Sequence, residues 1–157
     1  KLGVNFLTIH AVDRKTLQAA QEGKGSSALK LLGVTVLTNL TEEDLAEQGI
    51  SESPHDLALR RARMAYGVGI DGVVASGLEA RAIREATDES FIIVTPGIRP
   101  SGSAANDQAR AMTPREAILA GANHLVVGRP ILSGPDRRKA ALDIQDEITA
   151  ALAERKS

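Results

Sequence analysis

The sequence predicts an α/β fold and, within that class, a (β/α)8 barrel that is incomplete in this chain. Three observations carry the prediction. Five short apolar runs rich in β-branched residues alternate with longer helical patterns. The runs are apolar throughout, as parallel strands covered on both faces are. The last two end in turns carrying arginine, at the strand ends where barrel enzymes gather their chemistry. A doubly wound sheet gives the same alternation. Five strands cannot close an eight-stranded barrel.

The elements follow in order. Asn5–His10 (NFLTIH) reads as a strand. Arg14–Glu22 reads as a helix, trailed by a Gly/Ser patch at 23–27. Leu31–Leu37 (LLGVTVL) is the second strand. Thr41 caps a helix whose first turn is acidic, which suits the positive end of its dipole, and Gly49 ends it. Ser53–Val68 is a further helix, with Leu57, Arg61, Met64 and Val68 near one face. Gly72–Ser76 is a short strand and Leu78–Ala86 a helix. Phe91–Thr95 is the fourth strand. A polar loop over 101–111 leads to a helix over Pro114–Ala120, ended by Gly121. His124–Gly128 is the last strand. From Asp136 a helix runs nearly to the end, with Ala140, Ile144, Ile148 and Leu152 at spacing four.

The 157 residues suffice for a single domain spanning 1–157. A net charge of −1 gives nothing to draw the chain to nucleic acid or anionic lipid. Phe6, Tyr66 and Phe91 are too few rings for base-stacking platforms. With no cysteine, disulfides and thiolate metal sites are excluded. No apolar run nears the roughly 20 residues of a membrane span. Lys1 leads directly into strand residues, unlike a signal peptide. A cytoplasmic location is expected. The chain also begins inside structure, which fits a larger protein without its first part.

The candidate site lies between Val94 and Pro130. Thr95-Pro96-Gly97 fixes a tight exit from one strand, with Arg99 just beyond it. Gly128 ends the next strand and lets its backbone N–H approach an anion closely. Arg129 adds a planar fork of donors that matches phosphate oxygens. Gln108 sits between the two turns, in a loop whose composition suits a lid, and its amide can donate to phosphate. Each residue alone also fits a plain turn or surface role; the pairing of two arginine turns argues for phosphate. Thr38, past the second strand, is placed to face the same mouth. His10 is a candidate general base at a strand end, and Asp71 and Ser76 flank the third strand, where either could line the mouth. No zinc-like, Ser/His/Asp, Gly-x-Gly-x-x-Gly or Walker spacing occurs.

These residues resemble the C-terminal signature of the orotidine 5′-phosphate decarboxylase family. The matching run is Thr95–Pro100 (TPGIRP), then Asp107-Gln108, Thr113-Pro114, Gly121-Ala122 and Val126–Ile131 (VVGRPI). Gly33–Thr38 (GVTVLT) and Leu2–Ala11 (LGVNFLTIHA) resemble the same family in the same order. The resemblance implies a TIM barrel, homodimeric, with no cofactor and no metal. It implies conversion of orotidine 5′-monophosphate to uridine 5′-monophosphate in pyrimidine synthesis. Gly128 and Arg129 would hold the phosphate, Gln108 would bridge phosphate and pyrimidine, Arg99 would be a further substrate contact, and Thr38 would meet the pyrimidine edge.

One departure is large. The family's reacting lysine and carboxylates form an Asp-x-Lys-x-x-Asp pattern on early strands, and this chain has none. The chain is therefore expected to start near the fourth β/α unit, to lack catalytic residues of its own, and to be inactive alone. The alternatives are a metal-dependent sugar-phosphate decarboxylase or aldolase of the same superfamily, and a non-catalytic phosphate-binding half-barrel.

Overall fold

The computed structural model describes residues 3–100 and 111–155. Its elements are β1 (Phe6–His10), α1 (Arg14–Lys24), β2 (Lys30–Val34), α2 (Glu42–Glu47), α3 (Pro54–Val68), β3 (Gly72–Val74), α4 (Gly77–Glu85), β4 (Ile92–Thr95), α5 (Pro114–Leu119), β5 (His124–Leu125), α6 (Arg129–Leu132) and α7 (Arg137–Arg155). All strand pairs are parallel, in the order β1-β2-β3-β4-β5. This order separates the two architectures that the sequence pattern leaves open. A doubly wound sheet reverses direction at a switch point. Here each crossover steps the same way, so right-handed connections gather the helices on one face. The class is a (β/α)8 barrel, incomplete in this chain.

The helix-facing layer is apolar and tight. Leu31, Val73 and Ile93 pack with Ala62, Ala65, Ala80 and Ile83 of the covering helices. Small residues bring α3 close: a Cβ at Gly33 would lie 3.1 Å from the Ala11 Cβ and 3.5 Å from that of Ala65. On the other face, register places Phe6, Leu32, Val34, Val74, Ile92, Val94 and His124 together. The sheet is curled, because Phe6 of β1 and His124 of β5 meet across this face with ring centroids 5.4 Å apart. Gly72 permits the close approach of β3 to β4. A Cβ there would fall 2.2 Å from the Ile92 carbonyl oxygen.

Local signals explain the helix starts. Thr41 and Asp44 form a capping box at α2, and Thr113 and Glu116 form another at α5. Ser53 caps α3 ahead of Pro54. Gly69 closes α3 in the left-handed conformation at φ 85°. The last helix, α7, docks on α5: Arg155 Nη1 donates to the carbonyls of Ile118 and Ala122, both at 3.1 Å, and Arg115 pairs with Glu154 at 2.7 Å.

Several boundaries differ from expectation, and those near the arginine turns and Thr38 matter most. The second strand ends at Val34 rather than Leu37. The last strand covers only His124–Leu125, because β5 has a ladder neighbour on one side alone among the described residues. Beyond it Gly128 becomes the cap of a four-residue helix, α6, opened by Arg129-Pro130.

Candidate active site

Parallel strands send all their C-terminal ends to one side. Main-chain bonds past the strand ends continue the ladder and fix that rim: Ala11 N to Val34 O at 2.9 Å, Thr35 N to Val74 O at 3.1 Å, Ala75 N to Val94 O at 3.1 Å and Val126 N to Thr95 O at 2.9 Å. His10 ends β1, and Thr38, Ser76, Arg99, Gly128 and Arg129 follow C-terminal strand ends, so all belong to this rim.

The prolines of the two arginine turns face one cavity. Pro100 and Pro130, each next to its arginine, line one cavity of about 190 Å³ together with Ala140, Asp143, Ile144 and Glu147 of α7. A parallel bridge between Ile98 and Met112 anchors the first turn. Arg99 N donates to Met112 O at 2.8 Å. The Arg99 side chain is buried, and its Nη1 donates to the Ile98 carbonyl at 2.7 Å. Its Nε is buried with no partner among the described residues. In the second turn, Gly128 O accepts from Ile131 N and Leu132 N at 3.0 and 3.1 Å. A Cβ at Gly128 would meet nothing within 4 Å, so the backbone there is approachable from outside. Arg129 is exposed beside it.

Thr38 is buried, four residues past β2. Val36, Leu45, Leu57 and Ala58 form a small apolar cluster beneath this connection. One residue that sequence reasoning placed only on a helix face contributes here. Arg61 reaches from α3 to the strand exit, and its Nη1 donates to the Thr35 carbonyl at 2.6 Å. Burial, with Arg60 nearby, lowers the Arg61 pKa from its ordinary value. Its half-buried position was the only available signal, and a helical arginine pattern does not specify a carbonyl partner.

Ser76 and Asp71 have structural roles. Ser76 Oγ accepts from Leu78 N at 3.3 Å and caps α4. Asp71 precedes β3 and lies at the opposite end of the sheet from the rim. It accepts from Lys24 Nζ at 2.6 Å, Lys30 Nζ at 2.9 Å and the Leu31 amide at 2.9 Å. Burial pushes its carboxyl up, but the two lysines and the amide outweigh that and hold it at about 2. Sequence reasoning also missed Glu79. It is buried in the first turn of α4, with Oε1 3.7 Å from His55 Nδ1 of α3. The Ser76-x-x-Glu79 spacing is its only sequence signal. Gln108 lies outside the described residues.

Comparison with known proteins adds a family and several folds. A family model described as "Orotidine 5′-phosphate decarboxylase / HUMPS family" matches residues 1–144. Similar solved structures include orotidine 5′-phosphate decarboxylase from Lactobacillus acidophilus, 35% identical with a TM-score of 0.77 over 94% of this chain and 64% of that one. An uncharacterized conserved protein from Geobacillus kaustophilus is 28% identical, with a TM-score of 0.73 over 93% and 64%. Orotidine 5′-phosphate decarboxylase from Pyrococcus horikoshii OT3 is 26% identical, with a TM-score of 0.65 over 94% and 62%. The chain thus spans a little under two thirds of the length of each of these structures.

Proposed function

The chain belongs to the orotidine 5′-phosphate decarboxylase/HUMPS family, and on that premise we propose that it is the nucleotide-binding part of an orotidine 5′-phosphate decarboxylase. The whole protein converts orotidine 5′-monophosphate to uridine 5′-monophosphate and CO2 in the cytoplasm, as a step of pyrimidine synthesis. The observation that carries this reading is that both arginine turns follow C-terminal strand ends and present Pro100 and Pro130 to one cavity.

The roles follow from the chemistry of each group. Gly128 exposes backbone to the phosphate, and Arg129 supplies paired N–H donors. The Arg99 backbone is anchored by its N–H to Met112 O, and its guanidinium is held by Nη1 donating to the Ile98 carbonyl. Gln108 bridges phosphate and pyrimidine, and Thr38 meets the pyrimidine edge. Phosphate is remote from the bond that breaks. Binding energy realised there supports the chemical step only if groups at the reacting carbon exploit it.

Those groups are not in this chain. The Asp-x-Lys-x-x-Asp pattern is missing from the sequence. A lysine must protonate the carbon that loses CO2 and its charge favours the carbanion-like transition state, while a neighbouring aspartate repels the substrate carboxylate that departs. The 157 residues therefore correspond to a domain without the first three β/α units, and they bind without catalysing. A homodimer fits the rim side, where Val12, Leu37 and Leu78 stand about half exposed after β1, β2 and β3.

The test is decarboxylation of orotidine 5′-monophosphate. The purified chain is expected to release no CO2 above background, and substantial turnover by it alone would overturn the division of labour. In a barrel completed with the missing units, activity is expected to survive a chelator. Loss of activity on chelation would favour a metal-dependent sugar-phosphate enzyme instead.

A further inference from the structure

We propose that Arg61 is a positioning residue for the substrate: from α3 it braces the exit of β2 so that Thr38 stands at the pyrimidine edge. The inference rests on the nucleotide reading of the rim, and it names a residue that acts on the substrate only through the chain it holds.

The connection from β2 to α2 is fixed step by step. β2 ends at Val34 and β3 at Val74, so Thr35 is where the connection starts. Thr35 donates twice to the Val74 carbonyl, from N at 3.1 Å and from Oγ1 at 2.9 Å. Its own carbonyl accepts from Arg61 Nη1 at 2.6 Å. Val36 then packs with Leu45, Leu57 and Ala58. Leu40 N donates to Leu37 O at 3.1 Å, which closes a turn around Thr38 and Asn39. Thr38 is buried in that turn. Leu57 and Arg61 lie four residues apart and so share one face of α3. Leu57 packs with Val36, while Arg61, one helical turn on, takes the carbonyl of Thr35. Two successive turns of α3 thus grip two successive residues of the connection.

Stability alone does not account for an arginine here. A guanidinium drawn out of water needs full pairing to offset its lost hydration. Arg61 Nε is buried with no partner among the described residues. The neighbouring carboxylate of Glu52 is engaged by Arg60, which donates to it at 2.8 and 2.6 Å. A methionine would bury a similar stem without that cost. What the arginine adds is a charged donor held at the carbonyl three residues ahead of Thr38. Losing it frees the turn and shifts the hydroxyl that meets the base. The second arginine turn follows β5 and is untouched. The effect is therefore selective for the base over the phosphate.

The experiment titrates the 157-residue chain and its variants with uridine 5′-monophosphate and with ribose 5-phosphate, which carries the phosphate without the base. Amide exchange at Leu40 is measured alongside. Arg61→Met is expected to weaken the nucleotide by about tenfold or more and ribose 5-phosphate by less than about twofold, with faster exchange at Leu40. Arg61→Lys still offers a charged donor for this single bond, and is expected to bind within about threefold of the parent. Arg60→Met, which breaks only the exposed pair with Glu52, is expected to bind like the parent. Should Arg61→Met lose the helical far-UV spectrum, Arg61→Gln, a neutral donor on a shorter stem, carries the same expectations. Equal weakening of both ligands, or nucleotide binding and Leu40 exchange that the loss of the guanidinium leaves unchanged, overturns the proposal. If the parent prefers the nucleotide in those cases, the proposed function stands without it. A parent that binds both ligands alike overturns the proposed function and, with it, the role of Arg61 toward the base.

Discussion

Gly72 shows how a single residue sets the geometry behind the rim. Its missing side chain is what lets the Ile92 carbonyl pass close to β3. Gly72→Ala is expected to lower stability by about 1–3 kcal/mol, read as a fall in Tm, because backbone rather than a flexible side chain must give way. Asp71 carries a second prediction. Its folded-state pKa of about 2 lies below the ordinary carboxylate value. Its contribution is therefore complete above the unfolded value of roughly 3.9 and is lost as pH falls toward 2. Asp71→Asn is expected to cost about 1–2 kcal/mol near neutral pH. The difference from the parent should shrink between about pH 4 and pH 2 in denaturant titrations. Asp71 was expected as a residue that could line the mouth, but it precedes a parallel strand and so sits opposite the rim; only its place beside β3 was legible in the sequence. What it holds was not, because Lys24 and Lys30 come from other elements. The same limit applies to Arg61 and Thr35, whose contact depends on how α3 lies across β2.

At the scale of elements, the helix starts were the most readable part. Thr41 with Asp44 and Thr113 with Glu116 are capping boxes in sequence and in structure, because the interaction is local. Thr113→Ala is expected to cost about 1 kcal/mol. Its effect should also reach the first arginine turn, because Met112 next to it accepts from Arg99 N. Faster amide exchange at Arg99 measures that. Strand ends were less readable. Val36 and Leu37 extend the apolar run of β2, yet Val36 instead packs with Leu45 and Leu57 as the chain turns away. The residues 126–128 read as strand, but an edge strand with one neighbour stops where its partner stops. The helix α6 escaped notice because four residues give no periodicity. The sequence cue is proline in the first turn, two residues after the capping Gly128.

At the scale of the molecule, sequential strand order decides the architecture, and no local pattern encodes it. The alternation of strands and helices is shared with doubly wound sheets; only the pairing separates them. The same order gathers the C-terminal strand ends on one rim and draws Pro100 and Pro130 to one cavity, though thirty residues of sequence separate the turns. Among the described residues it also leaves two edges open, so the isolated chain is expected to self-associate, and a monodisperse monomer in sedimentation would contradict that. The central claim is that the rim binds a nucleoside monophosphate through the second arginine turn. Calorimetric titration with uridine 5′-monophosphate and with inorganic phosphate tests it most directly, on the parent chain and on Arg129→Ala. The nucleotide is expected to bind more tightly than phosphate, and Arg129→Ala to weaken it by about tenfold or more. Equal weak binding of both ligands, or nucleotide binding that Arg129→Ala leaves unchanged, would contradict it.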